Sequence, residues 1–133
     1  MEESKLDSTL PDRVSLQVLV DGQVAFESQG KWLFPLFELE DFLQKTPLDM
    51  SAAEIRDKVI GKAAALLILR LGVGRVHGVL MSDLAVAVLE NAQVPFNFDQ
   101  RVPRISCQTE EILATVEDLE EAYQILRQRA GRC

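Results

Sequence analysis

Four residues of the stretch Asp57-Lys58-Val59-Ile60-Gly61-Lys62-Ala63-Ala64-Ala65 have the types and spacing of an anion site. If the stretch is helical, Lys58 and Lys62 share one face, because residues four apart are neighbours there. At a helix start the unbonded amides already carry about half a positive charge, so two cations are costly unless an anion visits. Asp57 would cap that start, and Gly61 would let a phosphate or carboxylate come close to the backbone. A plainer reading stands beside it, in which Lys62 points to solvent and Lys58 pairs with Asp57 or Glu54. Cys107 adds a second chemistry. Its thiol becomes a nucleophile if Lys58 or Lys62 lowers its pKa from the reference ~8.5, since the thiolate is the reactive form. The competing reading is a small buried apolar group. Cys133 is assigned no role.

These residues sit in a chain whose totals narrow the function classes. At 133 residues it has the length of one domain. With 47% hydrophobic and 26% charged residues it has the balance of a globular protein rather than a disordered one. A formal charge of -7 argues against a phosphate-backbone binder, so no nucleic acid is expected as partner. The longest apolar run, residues 63–69, is far short of the ~20 residues that span a bilayer. The N-terminus has no apolar signal core, which predicts a cytoplasmic protein without a membrane partner. Two cysteines and one histidine, His77, make neither a disulfide framework nor a metal-ligand cluster, so no metal and no cofactor are expected.

Residues 1–13 are polar and aperiodic and read as a flexible arm before a single domain over 14–133. Val14, Leu16, Val18 and Val20 alternate with polar residues, Asp21-Gly22 signals a two-residue turn, and the return strand over 23–28 puts Val24 and Phe26 inward. Pro35 opens a helix to about Gln44 with a stripe of Leu36, Leu39, Phe42 and Leu43. The spacing of Ser51 and Glu54 predicts a second helix from Ser51 to Leu71, or one starting at Asp57. A buried strand follows over 75–81, then a helix capped by Ser82 with Leu84, Ala85, Val88 and Leu89 inward. A short strand over 94–98 comes next, with Pro95 placing it near an edge. After an extended loop, Asp118 caps a last helix that docks through Leu119, Ala122, Tyr123 and Leu126. Strand-helix-strand units favour parallel neighbours, so the predicted fold is α/β, a three-layer α/β/α mixed sheet with an N-terminal hairpin and parallel strands.

The nine residues from Asp57 resemble the signature of the DUF1893 family, whose motif looks like D-K-x-x-G-K-A-A-A. Asp21-Gly22, Pro35-Leu36, Val102-Pro103 and Glu120-Glu121-Ala122-Tyr123 are similar to further family positions. The element order resembles the cytidine-deaminase-like fold. Zinc deaminases of that fold carry H-x-E at the start of the second helix and P-C-x-x-C at the start of the third. Asp57-Lys58-Val59 and Ser82-Asp83-Leu84-Ala85 would occupy those places here, without ligands, and His77 reads as a packed strand residue. The resemblance also implies a C-P-x-E-like segment, whose counterpart would be Cys107-Gln108-Thr109-Glu110. Asp57 would then orient a lysine, and Glu110 would move protons or cap the next helix. The expected function is a small-molecule-binding protein that acts, if it is an enzyme, without zinc. Its ligand would be a nucleotide- or metabolite-like anion, with Cys107, Asp57, Lys58 and Glu110 as catalytic groups and Gly61 and Lys62 as binding groups. The alternative is a non-enzymatic binding or regulatory module with a vestigial pocket and a homodimer interface.

Overall fold

The computed structural model describes residues 10–31, 33–105, 113, 116 and 118–130, the side chains of 129 and 130 excepted. Strands β1 (Leu16–Val20) and β2 (Gln23–Ser28) form the expected hairpin. Asp21 and Gly22 both have positive φ, 53° and 77°, as a tight two-residue turn requires. The register shifts between Val18 and Leu19, where Val18 faces Phe26 but Leu19 faces Val24. Ala25 is therefore the extra residue of a bulge. Phe26 still turns inward onto Phe42, with ring centroids 5.0 Å apart, whereas Val24 is 48% exposed and not on the inner face as expected.

Helix α1 (Phe34–Lys45) has Pro35 in its first turn and buries Leu36, Phe37 and Leu39. The next segment overturns the expected helix. Met50–Ala52 is a single 3-10 turn, and strand β3 (Ala53–Ile60) follows. The Ser51 and Glu54 spacing is no capping box, because Ser51 belongs to the turn, its amide held 3.2 Å from the Asp49 carboxylate. Ala53, Ile55 and Asp57 are buried, while Glu54 and Arg56 are half-buried between them, which is the alternation of a strand. β-Branched Ile55, Val59 and Ile60 favour it further. Helix α2 (Lys62–Arg70) starts only after Gly61, so neither Ser51 nor Asp57 begins a helix.

Strand β4 (Arg75–Ser82), helix α3 (Asp83–Asn91) and strand β5 (Phe96–Val102) complete the sheet. Ser82 caps α3 as expected, its hydroxyl accepting the Ala85 amide at 3.1 Å. β5 continues beyond the expected short strand into the supposed loop. Helix α4 (Leu119–Ala130) follows, with Asp118 accepting the Glu120 and Glu121 amides at 2.8 and 3.0 Å. The fold is thus mixed α/β, a five-stranded sheet of order β2-β1-β3-β4-β5 with four helices among the described residues. β1 runs antiparallel to both neighbours, and β3, β4 and β5 are parallel.

Three successive crossovers step the same way across the sheet, and right-handed crossovers then put α1, α2 and α3 on one face. Contacts of α2 with both α1 and α3 agree. α4 packs over α2 on that same side, so the helix layer expected on the opposite face is not among the described residues. The clasp of α4 is polar as well as apolar. Arg70 bonds Glu40 at 2.8 Å and Glu120 at 2.7 Å, its guanidinium lies 3.6 Å from the Tyr123 ring centre, and Tyr123 donates to Glu40 at 2.8 Å. No described helix is long and apolar enough to cross a membrane.

The turn from α2 into β4 leaves no room at Gly74, whose amide donates to Met50 O at 3.0 Å and Ala53 O at 3.2 Å. A methyl group there would lie 2.2 Å from Ser51 O. Gly74→Ala should cost about 1–3 kcal/mol or more of stability, because rigid backbone rather than a mobile side chain must give way. Urea unfolding should show a lower midpoint at unchanged slope.

Candidate functional site at the carboxyl end of the central strand

The family-like stretch is a strand end, a cap and a helix start rather than a helix. Asp57 and Lys58 lie on β3, Gly61 is the N-cap of α2 with φ -97°, and Lys62 is the first helical residue. Lys58 and Lys62 do not share a helical face. Lys58 is exposed, whereas Lys62 is 4% exposed. Cys107 and Glu110 lie outside the described residues, so their places relative to Asp57 are not part of this geometry.

Asp57 is the chemically distinctive group. It follows Ala53 and Ile55 on the helix-covered face, with Leu16 of β1 on one side and Gly78 of β4 on the other. It is 9% exposed. Burial pushes its carboxyl from 3.8 up to about 7, against the pull of hydrogen bonds from the Val59 and Lys58 amides. Those two bonds also shape the strand. Asp57 folds over the next two amides, as an aspartate does in a local turn. Lys58 and Val59 are consecutively exposed, and Ile60 returns to the core at 0% exposure. The Lys58 amide meanwhile bonds Ser15 O at 2.9 Å.

The same end of the sheet gathers polar groups that sequence reading missed. The Ser15 hydroxyl donates to Ser28 O at 3.1 Å, and the Ser28 hydroxyl donates to Glu38 of α1. They come from separate elements, so no local spacing marks them. In parallel sheets ligands bind beyond the carboxyl ends of the strands, and here the N-termini of α2 and α3 stand at those ends of β3 and β4.

His77 is a packed strand residue, as expected. It is 5% exposed, with Nδ1 against Asn97 and Nε2 3.2 Å from Asp99 Oδ1, out of line for a hydrogen bond. It belongs to a polar row, Glu27-Gln17-Arg56-His77-Asn97, that crosses all five strands on the face away from α1, α2 and α3. A cavity of about 710 Å³ opens on that face, lined in part by Gln17, Asp21, Glu54, Arg56 and Arg75. It lies at the amino ends of β3 and β4, away from Asp57, and its Glu54 and Arg56 neutralise each other at 3.1 Å. Among the described residues no cluster of three or more histidine, cysteine or carboxylate groups fits a metal.

A family model described as "TM1506: Domain of unknown function (DUF1893)" matches residues 7–130. The chain belongs to the DUF1893 family. Its fold is shared with a solved structure, a DUF1893 family protein (TM1506) from Thermotoga maritima. The two align with a TM-score of 0.77 at 24% identity, over 96% of this chain and 84% of that one. No curated protein matches.

The raised Asp57 pKa has a signed consequence for this DUF1893 protein. Between about pH 4 and pH 7 the native carboxyl keeps its proton while that of the unfolded chain has lost it. The native state binds more protons there, so this contribution to stability falls as pH rises through the window and levels off above about 7. Asp57→Asn should remove a slope amounting to at most about 4 kcal/mol. Urea unfolding of both proteins at pH 4.5, 6 and 8 measures it; parallel pH profiles would contradict the raised value.

Proposed function

We propose that this protein binds a small anionic ligand, nucleotide- or metabolite-like, at the carboxyl ends of β3 and β4, with Asp57 exchanging a proton with it. The observation that carries this reading is a buried carboxyl poised near neutral pH on the central strand. A general acid or base works best when its pKa lies near the operating pH. Gly61 and Lys62 supply helix-terminal amides and a cation for the anion. Lys58, on the exposed side of the strand, guides the ligand in. Cys107 and Glu110 complete the catalytic version, with the thiolate as nucleophile and Glu110 moving protons.

We further read the fold as cytidine-deaminase-like. The sheet order β2-β1-β3-β4-β5, with β1 antiparallel to both its neighbours and helices following β3 and β4, supports that reading. The zinc chemistry of such deaminases does not follow. The helix starts, Gly61-Lys62-Ala63 and Ser82-Asp83-Leu84-Ala85, offer no histidine or cysteine, so these residues do not fit zinc.

The reading is tested by titrating ¹⁵N-labelled protein with nucleoside 5′-monophosphates and with inorganic phosphate. Amide shifts should concentrate at residues 61–64, and Lys62→Met should weaken binding ~10-fold or more, as loss of a charge-assisted bond does. Binding that is indifferent to Lys62→Met, or shifts confined to the opposite end of β3, would place the ligand elsewhere. The cysteine part is checked separately. Cys107 should react with iodoacetamide faster than a free thiol at pH 7, and Lys58→Ala together with Lys62→Ala should slow it.

A further inference from the structure

β5 is an edge strand of unusual openness. Its five central residues, Asn97, Phe98, Asp99, Gln100 and Arg101, are all exposed, and Phe98 is 36% accessible. Among the described residues it pairs only with β4. Edge strands are normally guarded by a proline, a bulge or a run of like charge. The opposite edge has such a guard in the bulge of β2. β5 has none within it. Pro95 and Pro103 bracket the strand rather than interrupt it, and its two charges are of opposite sign.

The order of those charges is self-complementary. If β5 pairs antiparallel with a second copy of itself about a two-fold axis at Gln100, Asp99 faces Arg101 twice and Phe98 faces Val102 twice. Shifting the axis by one residue to either Asp99 or Arg101 sets like charges opposite each other, which is destabilising. Existing contacts leave both groups able to take part. Arg101 holds Asp83 through Nε at 2.5 Å, and a guanidinium has four further N–H donors. Asp99 meets His77 through one carboxylate oxygen. We propose that two copies of this chain join through β5, antiparallel and centred on Gln100, into one continuous ten-stranded sheet. Main-chain hydrogen bonds would supply the affinity, and the two Asp99–Arg101 pairs would fix the register. This inference does not depend on the ligand site, which lies at the ends of β3 and β4.

Charge reversal tests it with the intact chain. Sedimentation velocity should find the wild type dimeric. Asp99→Arg and Arg101→Asp should each weaken self-association ~10-fold or more, since each sets two like-charge pairs face to face. An equimolar mixture of the two variants should recover the dimer, because every facing pair is then opposite in sign. A wild type that stays monomeric at 200 μM (about the upper end of routine sedimentation work), or variants that associate no better mixed than alone, would overturn the proposal. If either reversal unfolds the chain, Gln100→Cys in a Cys107→Ser, Cys133→Ser background reads the same register. The two-fold axis brings residue 100 against its own copy, within the Cα separation a disulfide tolerates. Rapid intermolecular disulfide formation on oxidation is expected, and its absence would refute the pairing.

Discussion

Helix α2 is enclosed on every side over its first seven residues, and the fold is arranged around that enclosure. The sheet lies beneath it, α1 and α3 flank it, and α4 closes over it. A helix in such a position must be narrow, and Ala63-Ala64-Ala65 make it so, because small side chains let neighbouring backbones approach. Leu66, Leu67 and Ile68 then fill the wider space toward α4 and the sheet. Enclosure also isolates the start of the helix. Lys62 and the first turn are held where little water can reach, which strengthens any electrostatic interaction they make. At the other end, Arg70 reaches out to Glu40, Glu120 and Tyr123 and fastens the covering helix. The same nine-residue helix therefore carries the proposed site at one terminus and the anchor of its own lid at the other.

Much of this was legible in the sequence because local and tertiary preferences agreed. The hairpin was announced by Asp21-Gly22 between alternating apolar residues, α3 by Ser82, and α4 by Asp118 followed by two glutamates. The central strand was not legible, and the reason is specific. Three of its eight residues facing away from the helices or outward are charged, Glu54, Arg56 and Lys58, and one of its buried residues is Asp57. A strand whose inward set includes a carboxylate shows only two strongly apolar anchors before Ile60, too few to beat the apparent capping box at Ser51. Lys58 and Val59, exposed in succession, then break the alternation where it would have become convincing. The stretch from Asp57 to Lys62 stands out by residue type, but its geometry was not legible: a four-residue spacing means one face on a helix and nothing of the kind across a strand end and a cap.

The identity of residue 57 carries the strongest argument for chemistry. Holding the Val59 and Lys58 amides requires only an acceptor, and an asparagine carbonyl would provide one without bringing an ionisable group into the core. An aspartate there is held neutral for part of the neutral pH range by burial, at a cost to stability that grows as it ionises. Gly78 beside it and Leu16 on its other flank offer no hydrogen bond from a side chain to offset that cost. A purely structural role thus accounts for the shape of the strand but not for the choice of a carboxyl. A role that needs a transferable proton, as in the proposed function, would account for both.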